Sequence, residues 1–259
     1  MEPPVPPLLF ALLLFIGMLL LLETGRRFGV RRRPKESEGE RGGLGTVEGA
    51  VFALFGLMVA FTFSGAASRF NEKRMLIAEE VNCIETAYLR LQLVSHHAQP
   101  ALQELFRRYV DSRLETYRRL PDMVAAEMEM AKSKEIQEEV WTEAVAATRL
   151  ADSHPSAGFL LLPSLNNMID ISTTRTMALQ IHPPRIIYVL LFCLGLICSL
   201  LAGFRMSSGQ RRSWLHILGF TVLTVIIVYV MLDVEYPRAG LIRLESADQL
   251  LVNLREHMK

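Results

Sequence analysis

Residues 49–67 read GAVFALFGLMVAFTFSGAA, and this apolar run indicates that the chain is a membrane protein. It contains no Asp, Glu, Lys or Arg, and a helical crossing of a bilayer core needs roughly 20 such residues. Three further stretches have the same character: residues 7–22, 186–204 and 214–232. The sequence therefore predicts an all-α protein with four transmembrane helices, arranged as two pairs around a polar middle region.

Composition excludes several classes of protein. The net charge of +1 gives no basic field, so no nucleic-acid partner is expected. The three cysteines have no metal-ligand spacing, and the adjacent His96 and His97 would point roughly 100° apart on a helix, so no metal or other cofactor is expected. Glycine-rich phosphate loops, G-x-S-x-G and H-E-x-x-H are missing, so no catalytic residues and no enzyme activity are predicted.

The first apolar stretch is expected to be a retained membrane anchor rather than a cleaved signal peptide. It begins Met1-Glu2-Pro3-Pro4, without positive charge, and no small-residue cleavage site follows Leu22. Seven Lys and Arg residues in the loop 23–48, and three in the loop 205–212, favour a cytoplasmic position for both loops. By that rule the termini and the polar middle lie on the opposite side.

The polar middle, residues 68–185, has a helical pattern. Its first apolar stripe recurs at three- and four-residue steps and consists of Ile77, Val81, Ile84, Tyr88 and Leu91. We expect the second membrane helix to continue through this stripe to about residue 94, before Pro100. Three more helices are expected at 101–119, 121–154 and 165–181. The buried faces of the first two are predicted to be Leu102, Leu105, Phe106, Tyr109 and Val110, and Ile136, Val140, Trp141, Ala144 and Ala147.

These patterns predict an extramembrane helical domain inserted between the second and third transmembrane helices. The expected organisation is a first transmembrane helix with a basic loop (1–48), a long second helix that is transmembrane and then extramembrane (49–94), an extramembrane helical domain (95–185), transmembrane helices three and four (186–232) and a C-terminal tail (233–259).

One polar face follows the extramembrane part of the long second helix. Its members are three, four or seven positions apart: Glu72, Glu79, Asn82, Thr86 and Arg90. One interpretation is a wet surface that lines an ion path above the membrane. The alternative is a set of hydrogen bonds to another helix, with Asn166, Asn167, Asp170 or Arg175 as partners, because buried polar groups are normally paired.

Inside the second span, a set of aromatic, aliphatic and hydroxyl side chains is predicted to line a pore: Phe52, Phe55, Val59, Thr62 and Phe63. Its apolar members would form a hydrophobic constriction that gates by dewetting. The alternative is helix packing, because Gly56, Ala60 and Ser64 have the four-residue spacing of small residues that lets helices approach closely. Residues Gly195, Ser199 and Gly203 repeat that spacing in the third span.

Two acidic residues, Asp233 and Glu235, end the fourth span. We expect an interfacial ion pair between Asp233 and Arg238. Arg69 and Arg243 are alternative partners, and cation binding by the carboxylates is a further one.

At these residues the chain resembles the bestrophin-like family of bacterial membrane proteins, for which no activity is established. The matching stretches cover most of residues 46–244: 61–64, 68–70, 80–82, 86–90, 162–170 and 233–243. The family looks like a distant relative of bestrophins, which are pentameric anion channels with a pore lined by the second membrane helix. The resemblance implies an anion-conducting homo-oligomer in the cell (inner) membrane, with chloride or another small anion as its ion.

The predicted function is therefore an oligomeric, multi-pass ion channel whose partners are the lipid bilayer, other copies of itself and a small anion. The alternative is a non-conducting membrane scaffold or sensor whose helical domain binds a partner.

Overall fold

The computed structural model describes residues 6–32, 38–119, 122–208, 214–237, 241–242 and 245–258. Over these residues the chain is helical and contains no strand. The α-helices are α1 Pro7–Arg32, α2 Glu38–Leu89, α3 Gln99–Arg119, α4 Met123–Thr148, α5 Ala157–Gln180, α6 Arg185–Arg205, α7 Trp214–Glu235 and α8 Glu245–His257. Short 3₁₀ turns follow α2 at Arg90–Leu93 and α6 at Met206–Ser208.

Four helical stretches are long and apolar enough to cross a membrane: Pro7–Arg31, Gly45–Leu93, Ala157–Arg205 and Trp214–Glu235. These stretches contain the four apolar runs read from the sequence. The predicted fold class, all-α with four membrane helices, is confirmed.

The chain divides into two compact units. Residues 70–181 and 242–259 form one, called here the helical domain, and residues 2–69 and 182–241 form the other, called the membrane unit.

In the membrane unit, α1 packs along α6 and α7. The approach of α1 to α6 is so close that a Cβ at Gly25 would overlap the carbonyl oxygen of Leu200, and a Cβ at Gly203 would overlap that of Leu22. Only glycine allows two helix backbones to touch in this way. The predicted packing role of Gly195, Ser199 and Gly203 is confirmed for Gly203, and all three residues are buried.

The core of the helical domain is built from α3, α4, α5 and α8 with the second half of α2. All five residues of the predicted α3 face are buried, because their three- and four-residue spacing places them on one side of the helix. The α4 face is also buried, except that Trp141 is only partly covered. From the α2 stripe, Ile77, Ile84 and Leu91 are fully buried.

Three features of the helical domain differ from the sequence expectation. Helix α4 ends at Thr148 rather than near residue 154. Helix α5 begins at Ala157 rather than near residue 165 and contains Pro163. Ala157 and Leu161 are completely buried on one face of that helix, and this burial outweighs the lost hydrogen bond at the proline. Helix α8 was not predicted. Its buried Leu251 and Leu254 show the helical spacing by which it docks against α3.

Candidate functional site

The predicted pore-lining residues of α2 do not share one exposed surface within the membrane unit. Phe55 is buried, and Phe52 packs edge-on against Phe220 of α7 with ring centroids 6.1 Å apart. Thr62 donates its hydroxyl to the carbonyl of Met58 at 2.7 Å, and Val59 is half-buried. Phe63 is exposed. The assignment of these five residues to a pore stays a prediction.

The small residues of α2 form a second exposed surface in the same span. Gly56, Ala60 and Ser64 are all exposed, and a Cβ at Gly56 would meet nothing within 4 Å among the residues that the structure describes. The spacing is the one that packs α6 onto α1, yet here no helix of the described membrane unit covers it. The face is therefore open to a second copy of the chain, to water or to lipid.

The polar face of α2 in the helical domain is also exposed at Glu72, Glu79, Asn82 and Thr86. Arg90 is half-buried and donates Nη1 to the carbonyl of Leu160 at 2.6 Å. The proposed partners Asn166, Asn167 and Asp170 are exposed as well. Four of the five residues are therefore exposed on the surface of a single protomer. Whether they line an ion path stays a prediction.

An ionic cluster lies at the end of α7 in the membrane unit. Glu235 is almost completely buried, and Arg69 donates to it through Nε at 3.1 and 2.9 Å and through Nη2 at 2.7 Å. Nδ1 of His182 lies 3.0 Å from the same carboxylate, and the His182 ring stacks on Tyr236. Of the alternatives read from the sequence, the structure contains the Arg69–Glu235 pair. A two-pronged, charge-assisted contact of this kind is strong and directional.

Arg238, the predicted partner of Asp233, lies outside the residues that the structure describes. Asp233 itself is buried and accepts hydrogen bonds from the backbone N–H of Leu241 at 2.9 and 3.1 Å. Its carboxylate therefore ties the end of α7 to the turn that follows.

A second ionic cluster, missed by sequence reasoning, lies in the core of the helical domain. Glu80 is fully buried and binds two guanidiniums: Arg113 donates Nε to Oε1 at 2.6 Å, and Arg175 donates Nη1 to Oε2. Arg175 also reaches Asp248 of α8 at 3.2 Å and stacks on the Tyr117 ring, 3.6 Å from its centroid. Two arginines and two carboxylates thus balance in charge.

Electrostatics in this cluster hold Glu80 and Arg113 in their charged forms. Glu80 lies beyond the apolar part of α2, and its pKa is held below the usual value. Burial alone would raise this pKa, but the charges and hydrogen bonds of Arg113 and Arg175 outweigh the effect of burial. Burial alone would lower the pKa of Arg113, but Tyr117 and Glu80 outweigh it and raise the pKa. The cluster is thus a structural tie between α2, α3, α5 and α8.

The sequence did contain a signal for this cluster. Glu80 lies between Ile77 and Ile84 on the buried stripe of α2, and Arg113 continues the buried face of α3 after Tyr109. A charge at a core position of an amphipathic helix requires a buried partner.

Comparisons with known proteins agree with this architecture. A bacterial bestrophin homolog from Klebsiella pneumoniae, crystallised as a point mutant, matches with a TM-score of 0.53 and 16% sequence identity, over 93% of this chain and 98% of that chain. At this identity the match shows the fold. Comparison with curated proteins gives no match. The family model of the Bestrophin-like domain matches residues 24–248. The chain is therefore a membrane protein that belongs to the Bestrophin-like family.

Proposed function

We propose that this chain forms an ion-conducting homo-oligomer in the cell (inner) membrane, with α2 lining the ion path. The observation that carries the proposal is the exposed face of small residues, Gly56, Ala60 and Ser64, on an otherwise apolar span. Large apolar side chains suit a lipid-facing surface, whereas glycine and serine gain nothing from acyl chains. Such a face suits contact with another protomer or with water in a pore.

Phe63 is the residue best suited to a constriction of this path. It lies next to the small-residue face and is exposed. A ring of such side chains around an oligomer axis would exclude water from a narrow passage. Phe52, which packs on Phe220, and the buried Phe55 would then fix the orientation of α2.

The bestrophin resemblance favours chloride or another small anion as the conducted ion. The exposed carboxylates Glu72 and Glu79 of the α2 polar face do not argue for the opposite sign, because Glu72 is nine positions from Phe63 and lies on the other side of the helix.

The test is flux and reversal potential in liposomes that contain the purified full-length chain. We expect conductance, and a salt gradient then gives a reversal potential whose sign identifies the ion class. Electron-microscopy class averages of the detergent-solubilised protein should show a ring of subunits around an axis. Absent flux together with a monomer or dimer would contradict the channel. That result would support the alternative, a scaffold or sensor whose helical domain binds a partner.

A further inference from the structure

An apolar groove with a cation at one end lies within the membrane unit, on a different side of α2 from Phe63. Its volume is ≈ 380 Å³, within the range of small-molecule sites. The walls are mainly apolar and include Leu54, Leu57, Met58, Phe61, Pro183 and Ile187. Arg69 lines the end of the groove.

Arg69 has hydrogen-bonding capacity left on the groove side. Its Nε and Nη2 bind Glu235, and Nη1 has no acceptor in the part of the chain that the structure describes. The Arg69 side chain remains partly exposed, at 25%. Gly65 leaves the space beside Nη1 open to a ligand in the groove, since a Cβ there would lie only 3.2 Å from Nη1.

The dimensions match one leaflet of a bilayer. Leu54 and Arg69 are 15 positions apart on α2, or roughly 22 Å at ~1.5 Å per residue. That length exceeds half of the ~30 Å hydrocarbon core. With Arg69 at headgroup level, the apolar groove would therefore extend below it through the full depth of one leaflet.

We propose that this groove binds a membrane phospholipid, with the phosphate on Nη1 of Arg69 and one acyl chain against Leu57 and Phe61. The acyl chain cannot supply the preference, because other lipid tails are equally apolar. A charge-assisted hydrogen bond from a guanidinium to a phosphate can supply it, since arginine recognises phosphate well. The proposal concerns a lipid site and stands whether or not the protein conducts ions.

The test is native mass spectrometry of the full chain in a mild detergent. The probes are palmitoyl-oleoyl phosphatidylglycerol and the diacylglycerol with the same two chains. We expect roughly tenfold better retention of the phospholipid, the difference that one charge-assisted hydrogen bond produces. Equal retention of both lipids would overturn the proposal, because no headgroup contact would then exist.

Two variants locate the site. Gly65→Leu should fill the groove next to Arg69 and remove the retained phospholipid. The matched control is Gly219→Leu, at an exposed glycine of α7 whose Cβ would meet no described residue within 4 Å. If Gly65→Leu fails to fold, Ile187→Trp blocks the groove from the other wall. Undiminished retention in the folded variant overturns the site. Disulfide-linked dimers of Leu57→Cys would also overturn it, because a second copy would then cover the groove.

Discussion

Replacement of Glu80 by Gln should destabilise the helical domain far more than the loss of an exposed charge there. The carboxylate is fully buried between Arg113 and Arg175. The amide has nearly the same shape but no charge, so two guanidiniums would remain in the core, and Asp248 is the carboxylate left to balance them among the described residues.

The expected magnitude follows from burial. Removing one partner of a buried ion pair costs about 3–5 kcal/mol, because the other charge is left uncompensated. For a chain of this size each kcal/mol changes Tm by about 2–4 °C, so Glu80→Gln should lower Tm by roughly 6–20 °C.

The assay is thermal unfolding of the full chain in detergent, followed by circular dichroism. The matched control is Glu139→Gln, since Glu139 accepts from Arg108 at 3.2 Å but both side chains are about half exposed. Exposed pairs contribute about 0–1 kcal/mol, so this variant should unfold within about 4 °C of the parent. Equal Tm values for the parent and Glu80→Gln would refute the argument from burial.

Three further outcomes are expected. The pKa of Glu80 is lower in the folded state than its ordinary 4.5, so the stability that its charge contributes to the parent should be lost only as pH falls below about 4.5. In a pH series of unfolding curves, Glu80→Gln should lack this part of the acid transition. Gly25→Ala should cost about 1–3 kcal/mol by forcing α1 away from α6, whereas Gly219→Ala, with free space around it, should not lower Tm. Phe63→Ala should raise liposome conductance if Phe63 forms the constriction, and Phe61→Ala on the groove side should not; unchanged flux in Phe63→Ala would assign that residue to packing.

The sequence predicted the helices well wherever one helix alone determines the pattern. The apolar runs of the four spans and the buried face of α3 depend only on hydrophobicity and the 3.6-residue period. Pro163 misled the expectation for α5, because burial of Ala157 and Leu161 is a tertiary effect. The pairing of charges was not predictable in the same way, since Glu80 is 33 positions from Arg113 and 95 from Arg175.

Spacing also could not separate two identical patterns of small residues. In α6, Gly203 contacts the backbone of α1, whereas Gly56 of α2 has no neighbour within 4 Å in the described residues. Both sets have the same four-residue period. The two sets differ in whether another helix packs against them, and the spacing within one helix does not predict its packing partner.

The glycine contact between α1 and α6 constrains the order of assembly during translation. Helix α1 leaves the ribosome first, and α6 begins more than 150 residues after α1 ends. At ~5–20 residues per second, the first helix waits roughly 10–30 s in the bilayer before its partner has been made. Throughout that time the Gly25 side of α1 lacks its native partner, so nascent chains are most vulnerable to mispairing before α6 inserts.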